Sequence, residues 1–245
     1  MNTEIDRSVD KARDEICRVG ASLYARGYVH ASAGNISVRL PSGGFLITPT
    51  DACLGMLDAT RLAYVDEQGA QISGDRASKT WALHRRIYAA DADAHCVIHT
   101  HSTHLVALTL SGVWSNNDIL PPLTPYFVMK VGHVPLIAYH PPGDPAVGDL
   151  VAQRIAAMQA VGTPLRAVLL DRLGPCVWHR SPSEASAVLE ELEETARLWM
   201  MTRAAAASGA ATSASTTAPD QPLPLPLPLT EAQIEALRQK FSVCW

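Results

Sequence analysis

Two histidines separated by a single residue are the strongest chemical signal in this sequence. His99 and His101 end a short apolar run, and the pattern predicts a buried strand over 95–101. Side chains at positions i and i+2 of a strand point to the same face, so the two imidazoles could bind one tetrahedral metal ion. A catalytic zinc ion normally takes three protein ligands, and the neighbouring sequence holds no definite third. The alternative is that both histidines are ordinary polar residues at a strand end.

A second group of residues has the donors and the backbone freedom to hold an anion. Gly34 and Asn35 stand at the start of a predicted strand, and glycine lets the backbone approach a ligand closely. Ser78 and Lys79 lie at the start of a predicted helix, where the helix dipole favours negative charge. Both pairs also have a simpler interpretation, because Gly-Asn is a common turn sequence and Lys79 could be an exposed lysine at a helix start.

Helices and strands in alternation must position these residues. Apolar residues at helical spacing, with N-terminal caps at Asp144 and Thr230, predict helices over 4–26, 78–90, 102–111, 144–160, 183–203 and 230–241. Short apolar runs between turn residues predict strands over 35–40, 44–50, 62–66, 95–101, 126–132, 134–140, 166–171 and 176–179. We expect 126–132 and 134–140 to pair, and we expect glutamates 190, 191, 193 and 194 to form a solvated helix face. The mixture of hairpin-like strand pairs and separate helices predicts an α/β fold with substantial antiparallel pairing.

The composition predicts one main domain followed by a tether. The chain has 245 residues, of which 47% are hydrophobic, and this is enough for one large core. We predict a folded domain over 1–203, an Ala/Ser/Thr- and Pro-rich linker over 204–229, and a helical C-terminal segment over 230–245. The linker is expected to be extended because proline at every second position blocks both helix and central strand.

Charge and cysteine content exclude several classes of partner. The net charge is −4, whereas binding to nucleic acid or to an anionic membrane calls for a basic surface. The five cysteines include no CxxC pair, which favours reduced thiols over a disulfide framework. The sequence has no apolar signal core, and no apolar run reaches the roughly 20 residues that span a bilayer. We therefore predict a cytoplasmic protein with no nucleic-acid or membrane partner.

Taken in order, the motifs of this chain resemble the class II aldolase/adducin family. They read SAGNISVRL, LITPT, SGDRASKTWALH, VIHTHSTH, TPYFVMKVGHVPL and LGPCV, and the similarity covers most of residues 7–203. The Ser78-Lys79 pair, CLGMLDATRL and the terminal LTEAQIEALR look most like one branch of the family, the 3-oxo-tetronate 4-phosphate decarboxylases.

The resemblance implies a three-layer α/β/α sandwich with a mostly antiparallel central sheet, assembled as a homotetramer with active sites between subunits. It also implies a divalent metal, usually zinc, held by three histidines, of which His99 and His101 match the first two. Such a metal polarises substrate oxygens during carbon–carbon cleavage of a phosphorylated acid sugar. The positions that match the family's phosphate pocket are Gly34, Asn35, Thr50, Ser78 and Lys79.

Three positions depart from the family's pattern. Thr80 stands where the family has Glu or Asp as catalytic acid, four residues before His84, which we expect to pack and hydrogen-bond rather than react. Leu173 stands where the third metal histidine is expected, and an alkyl side chain cannot bind metal. Asp51 stands in the phosphate loop, where its carboxylate would repel a phosphate. The residues that could replace Leu173 as a ligand, if the backbone moves, are Asp171, Cys176, His104 and His179.

Two functions from different classes follow. The first is a metal-dependent carbon–carbon lyase, a decarboxylase or an aldolase, with Thr80 and Lys79 as candidate catalytic residues. Decarboxylation is favoured because the loss of carbon dioxide needs no general base, and a threonine hydroxyl is a poor base near neutral pH. The second is a catalytically inactive binding or scaffold protein with the same fold. A weaker third possibility is a different reaction on an unphosphorylated substrate.

Overall fold

The computed structural model describes residues 2–213, 227–241, 243 and 245. Its helices are α1 (Asn2–Ala25), α2 (Trp81–Ala90), α3 (Thr103–Ser111), α4 (Pro125–Lys130), α5 (Ala146–Ala160), α6 (Pro182–Ser213) and α7 (Glu231–Phe241). Its strands are β1 (Asn35–Arg39), β2 (Phe45–Ile47), β3 (Ala63–Val65), β4 (Gln71–Ser73), β5 (Cys96–His99), β6 (Leu136–Ile137), β7 (Ala167–Leu170) and β8 (Gly174–His179). None of the helices in this described part of the chain has both the length and the apolar character needed to cross a bilayer.

The strands form one mixed sheet. Within the described residues it has eight strands in the order β4-β3-β2-β1-β5-β8-β7-β6. The β6–β7 pair is parallel and the other neighbouring pairs are antiparallel. The predicted mostly antiparallel sheet is therefore confirmed.

Apolar side chains on the two faces of the sheet pack against different helices. In β5, Cys96 and Ile98 face a core that includes α1, α3, α4 and α6, whereas Val97 faces a second core formed with α2 and α5. This alternation is the two-residue period of a strand that is buried on both faces. The sheet is thus the middle layer of an α/β/α sandwich, as the family resemblance implies.

The predicted strand over 126–132 is wrong, because this segment forms helix α4. The Thr124 hydroxyl accepts a hydrogen bond from Phe127 N at 3.0 Å, and Pro125 occupies the first turn. This cap and proline start a helix despite the β-branched residues that follow. The predicted pairing with 134–140 is consequently wrong as well, and β6 pairs with β7 instead.

Several helix boundaries differ from the sequence prediction, and α2 begins at Trp81 rather than at residue 78. Helix α5 begins at Ala146, although Asp144 Oδ1 accepts a hydrogen bond from Ala146 N at 2.9 Å, as an N-terminal cap would. Helix α6 continues to Ser213, past the predicted end at residue 203 and into the predicted linker. Alanine-rich sequence favours helix, and this preference explains the extension. The proline-rich part of that linker lies mostly in 214–226, and Cys244 of the predicted C-terminal segment likewise lies outside the described residues.

The C-terminal segment packs on α4 of the same chain. Thr230 Oγ1 accepts from Gln233 N at 3.3 Å, which confirms the predicted cap of α7. The Trp245 ring stacks on His133 with ring centroids 4.3 Å apart, and it meets Phe127 edge-on at 5.6 Å. Arg238 donates to the Trp245 carbonyl at 3.0 and 2.6 Å. These contacts hold the end of the chain against the core face of α4.

Candidate active site

His99 lies at the end of β5 in the middle of the sheet. It pairs with Asn35 of β1 on one side and with Cys176 of β8 on the other, and its side chain is only 3% exposed. His99 Nδ1 lies 2.9 Å from the carbonyl oxygen of Pro175. A carbonyl only accepts hydrogen bonds, so Nδ1 carries the proton and Nε2 keeps its lone pair.

Burial keeps the His99 ring neutral. It lowers the pKa of His99 to about 4, with a smaller effect from His101 and an opposing one from the Pro175 carbonyl. A neutral imidazole with one nitrogen fixed on a backbone carbonyl is the form that binds divalent metals.

His101 lies just beyond the end of the strand, because β5 stops at His99 rather than at residue 101. The two rings still come together, with centroids 5.1 Å apart and planes inclined by 61°. Burial lowers the pKa of the half-buried His101, and the charge of His30 lowers it further. The sequence thus correctly brought the two imidazoles together, although one stands on a loop.

Leu173 lies with this histidine pair. The β7–β8 turn packs directly on the loop after β5, since a Cβ on Gly174 would come within 2.3 Å of the Thr100 carbonyl oxygen. The described residues contain no group of three or more His, Cys, Asp or Glu side chains placed to hold a metal ion. In residue type and charge the two imidazoles fit a divalent cation, but they number two.

The four residues proposed from the sequence to replace Leu173 stand elsewhere. His104 Nδ1 is 2.8 Å from Glu193, and His179 Nδ1 is 2.7 Å from Glu184 at the other end of β8. Burial raises the pKa of the Cys176 thiol well above its usual value, so it stays protonated. The side chains that line the cavity beside His99 and His101 do not include these three or Asp171.

The Gly34-Asn35 pair approaches His99 from β1. Gly34 has φ of +86°, and a Cβ there would lie 2.9 Å from the His99 carbonyl oxygen, so only glycine fits without strain. Asn35 is 6% exposed, and its Oδ1 has no hydrogen-bond partner among the described residues. A buried polar atom without a partner is costly, and a ligand in the cavity would relieve that cost.

The start of α2 supplies the second set of polar groups. Ser78 Oγ and Thr80 Oγ1 are 2.9 Å apart, and both are half-buried. Lys79 between them is exposed. Thr80 occupies the N-cap position of α2 without a side-chain cap bond, and the N-terminus of this helix carries a partial positive charge.

Thr50 and Asp51 close this side. The Thr50 amide donates to Arg76 O at 2.8 Å, and Ser78 N donates to Thr48 O at 3.2 Å. These two backbone hydrogen bonds join residues 48–50 to the segment that precedes α2. Asp51 is exposed and has φ of +57°, a conformation in which glycine would be unstrained.

All eight candidate residues line one cavity of about 310 Å³. They are Gly34, Asn35, Thr50, Ser78, Lys79, Thr80, His99 and His101, and Asp51 and Leu173 line it too. A larger depression of about 490 Å³ lies next to it around Arg61 and Arg76 and shares only Pro49, Thr50 and Asp51 with it. The smaller cavity is where the chemical groups converge.

Sequence reasoning missed the loop that forms the opposite rim. Residues 141–144 line the cavity, and Asp144 Oδ2 lies 2.9 Å from His140 Nδ1. The hydrogen bonds from His140 and from the Ala146 amide lower the pKa of Asp144, which is therefore a carboxylate that holds the imidazole in place. The sequence favoured a structural or pocket-rim position for His140, but it did not indicate this contact, because an Asp before a helix was explained by capping alone.

His84 is buried as expected and does not line the cavity. It is fully buried, and its Nδ1 lies 2.7 Å from the Ser37 hydroxyl, which also contacts Tyr88. Burial, with a smaller contribution from His99, lowers the pKa of His84 to about 3.

The predicted solvated glutamate face is wrong at Glu193. This side chain is 4% exposed, and its carboxylate accepts hydrogen bonds from the amides of His104 and Leu105 at 2.9 and 3.1 Å. It therefore caps α3, the helix that follows the histidine pair. Helical periodicity could not reveal this contact because the partner is distant in sequence.

Comparison with known proteins agrees with the fold. The profile of the Class II Aldolase and Adducin N-terminal domain matches residues 14–200. A 3-oxo-tetronate 4-phosphate decarboxylase of Cupriavidus necator is 62% identical over 200 residues, which are 82% of this chain and 86% of that protein. The protein of the same description from Escherichia coli K12 is 43% identical over 187 residues, 76% of this chain and 84% of its own length.

Solved structures give the same result. The crystal structure of YgbL from Escherichia coli superposes with a TM-score of 0.76 at 36% identity and covers 94% of this chain and 99% of its own. An L-fuculose 1-phosphate aldolase superposes with a TM-score of 0.69 at 20% identity, covering 95% and 96% of the two chains, a likeness of fold alone.

Proposed function

Because the chain belongs to the class II aldolase and adducin family, we propose that it is a carbon–carbon lyase that decarboxylates a phosphorylated sugar acid. The proposed reaction is that named for its relatives, the 3-oxo-tetronate 4-phosphate decarboxylases. The observation that carries the proposal is the single cavity in which two neutral imidazoles face a set of anion-binding groups.

The chemistry of such a substrate suits a site without a strong base. A 3-oxo acid is a β-keto acid, so the bond between C1 and C2 can break with its electron pair passing into an enolate on the 3-oxo oxygen. Carbon dioxide leaves, and C2 then takes up one proton. The cleavage step does not require Thr80 to remove a proton, and a carboxylate at position 80 is therefore not needed.

His99 and His101 are the residues that would hold a divalent cation, and we propose zinc. Bound there, the cation would act as a Lewis acid toward the ketone oxygen. The Pro175 carbonyl fixes the His99 ring and leaves Nε2 as its free donor. Burial keeps both imidazoles unprotonated near neutral pH.

The phosphate of the substrate is assigned to the polar wall of the cavity. The Gly34-Asn35 backbone, the Ser78 hydroxyl and the N-terminus of α2 supply donors. Lys79 supplies the positive charge that offsets the nearby Asp51 carboxylate, which would otherwise repel a phosphate. Lys79 could equally hold the carboxylate that leaves, and its substitution tests both assignments.

The proton for C2 needs an acid other than Thr80, whose hydroxyl interacts with Ser78. We assign this role to His140, which Asp144 holds at the rim of the cavity. An imidazole oriented by a carboxylate is a common arrangement for proton transfer.

A catalytically inactive binding protein is the second candidate. It is favoured by Leu173, which takes the place of a metal ligand beside the two histidines. In that case the polar wall would bind a phosphorylated ligand and the chemistry would be absent.

The family resemblance also supports a homotetramer in the cytoplasm. Cys17, Cys53, Cys96 and Cys176 are free thiols, as a reducing compartment allows. Light scattering coupled to gel filtration tests the tetramer directly.

The proposed activity is tested by carbon dioxide release from 3-oxo-tetronate 4-phosphate. We expect turnover by the wild-type protein, a large loss in His99→Ala, and little change in His95→Ala, which alters an exposed histidine before β5. Tight binding of the substrate with no carbon dioxide release would instead support the inactive binding protein.

A further inference from the structure

Glu193 does not line the cavity, yet its carboxylate holds the helix that follows His101. We propose that Glu193 is a positioning residue, which keeps His101 beside His99 by capping helix α3 in place of Ser102. The proposal deepens the proposed function, and its expected effect on turnover rests on that function.

Ser102 stands at the position from which a helix is normally capped. It is the N-cap residue of α3, and a serine there usually accepts a hydrogen bond from the amide two or three residues further on. These amides belong to His104 and Leu105. Among the described residues, however, the Ser102 side chain makes no such cap bond. Another group must therefore satisfy the start of the helix.

The Glu193 carboxylate, from helix α6, takes over the cap. Its Oε1 accepts a hydrogen bond from the His104 amide at 2.9 Å, and its Oε2 accepts one from the Leu105 amide at 3.1 Å. Oε1 also lies 2.8 Å from His104 Nδ1. Glu193 is buried, and a carboxylate at a helix N-terminus forms strong, charge-assisted hydrogen bonds.

Because Glu193 caps the helix, the Ser102 hydroxyl can bind elsewhere. It donates to the Tyr28 carbonyl oxygen at 3.2 Å. This bond uses its single proton, so the Thr100 hydroxyl, 2.6 Å away, must donate to Ser102 Oγ. The resulting bridge from Thr100 to Ser102 spans His101, and both residues of the bridge are fully buried.

The other side of His101 is held by the sheet. The Thr100 amide donates to the Pro175 carbonyl oxygen at 3.2 Å. The turn before β8 packs so closely that a Cβ on Gly174 would come within 3.1 Å of the His101 Cα atom. His101 is thus fixed between a strand and a helix start, with its ring centroid 5.1 Å from that of His99.

The helix side of this arrangement depends on Glu193. Without its carboxylate, two amides at the start of α3 would lose their acceptor, and an unsatisfied buried donor is costly. The Ser102 hydroxyl is placed to cap them from its own N-cap position. To do so it must turn away from the Tyr28 carbonyl, and the bridge across His101 would break.

Crystal structures of the metal-free wild-type protein and of Glu193→Gln test the positioning directly. Glutamine keeps the shape of the side chain but turns one carboxylate oxygen into an NH2 group, which would face a backbone donor. We expect the Ser102 hydroxyl to cap α3 in the variant and the His101 ring to move from His99 by roughly 1 Å, a displacement that can cost about 100-fold in rate. A Ser102 hydroxyl still bonded to Tyr28, with His101 in its wild-type place, would overturn the proposal.

Turnover gives a second measurement. In Glu193→Gln we expect kcat to fall by roughly 10-fold to 100-fold, as it does when groups behind metal-binding histidines are changed. KM should stay at its wild-type value, because the residues assigned to the phosphate are not displaced. Glu194→Gln is the matched control, since Glu194 is exposed on the same helix and pairs with Arg197. It should behave as the wild type does.

A second variant distinguishes positioning from a general loss of stability. Ser102→Ala removes the bridge across His101 while the Glu193 cap remains, so kcat should fall although α3 keeps its cap. Because both changes act through the same bridge, the double variant should lose little more than the more damaged single variant. Losses in kcat that multiply in the double variant would show that Glu193 acts by another route.

The crystal structures need no turnover, so they separate this proposal from the proposed function. If the wild-type protein releases no carbon dioxide but His101 is displaced in Glu193→Gln, the lyase assignment fails and the positioning role of Glu193 stands. If the wild-type protein turns over and Glu193→Gln keeps both its kcat and the place of His101, only the Glu193 assignment fails.

Discussion

The two walls of the cavity differ in how much of the family's pattern they keep. The anion wall, formed by Gly34, Asn35, Thr50, Ser78 and Lys79, keeps the five residues that the resemblance assigns to phosphate binding and departs from the family's pattern only at the neighbouring Asp51. The histidine wall, formed by His99, His101 and Leu173, lacks one of its three ligands. From this comparison we expect the anion wall to select the class of substrate by binding its phosphate. The rate of the reaction should depend on the histidine wall.

The walls also differ in how firmly they are held. His99 is enclosed between two strands and bonded to Pro175. Lys79 is exposed at a helix start. Changes at His99 should therefore alter stability as well as metal binding, whereas changes at the exposed Lys79 should alter substrate affinity alone.

The largest effect is expected where the histidine wall meets the β7–β8 turn. In Gly174→Ala the new Cβ would lie 2.3 Å from the Thr100 carbonyl oxygen at φ of +102°. We expect a loss of about 3 kcal/mol or more in the free energy of unfolding, from backbone strain and displaced neighbours. Urea denaturation measures it.

Gly112→Ala is the matched control for that variant. Gly112 has φ of +95°, but a Cβ there would meet nothing within 4 Å. It should cost only the roughly 1–2 kcal/mol of left-handed backbone strain. Equal losses in the two variants would show that the turn does not brace the histidine wall.

The neutral histidines behind this wall predict a pH effect. Burial lowers the pKa of His84 from 6.5 to about 3. Between these two pH values His84 is therefore protonated in the unfolded chain and neutral in the folded chain. Stability should fall as the pH drops below 6.5, by about 1.4 kcal/mol per pH unit for this residue. In metal-free His84→Gln the urea-derived slope should be shallower by that amount; an unchanged slope would mean that His84 is not buried as a neutral ring.

A smaller effect is expected at the anion wall. Lys79→Ala removes the positive charge assigned to the phosphate, and a charged hydrogen bond contributes about 1.5–3 kcal/mol. KM should rise by roughly 10-fold to 100-fold, while the free energy of unfolding stays within about 0.5 kcal/mol. Lys130→Ala, at the end of α4, is the control. A fall in kcat with KM unchanged would indicate a catalytic role for Lys79 instead.

The smallest effect concerns Asp51. Asp51→Asn removes a carboxylate beside the proposed phosphate position but keeps a residue that tolerates positive φ. KM should fall several-fold at low salt, and the difference should shrink as salt screens the repulsion. A rise in KM would place the phosphate elsewhere or give Asp51 a binding role.

The sequence predicted those parts of the site that are local in the chain. The spacing of His99 and His101 and the helix start after Lys79 are short-range patterns, and both bring their residues to the cavity. It failed where the decisive contact is distant. Glu193 caps α3 through amides that are 88 and 89 residues away, and no periodicity of α6 encodes that contact.

Local chemistry also misled the fold prediction once. Residues 126–132 have strand-like composition, but the Thr124 cap and Pro125 determine a helix.

The most direct test of the account is a titration of the metal-free chain with zinc while carbon dioxide release from 3-oxo-tetronate 4-phosphate is recorded. The account predicts that turnover rises with added zinc and saturates at one ion per chain. Turnover that is absent at every zinc concentration, or the same with and without zinc, would contradict it.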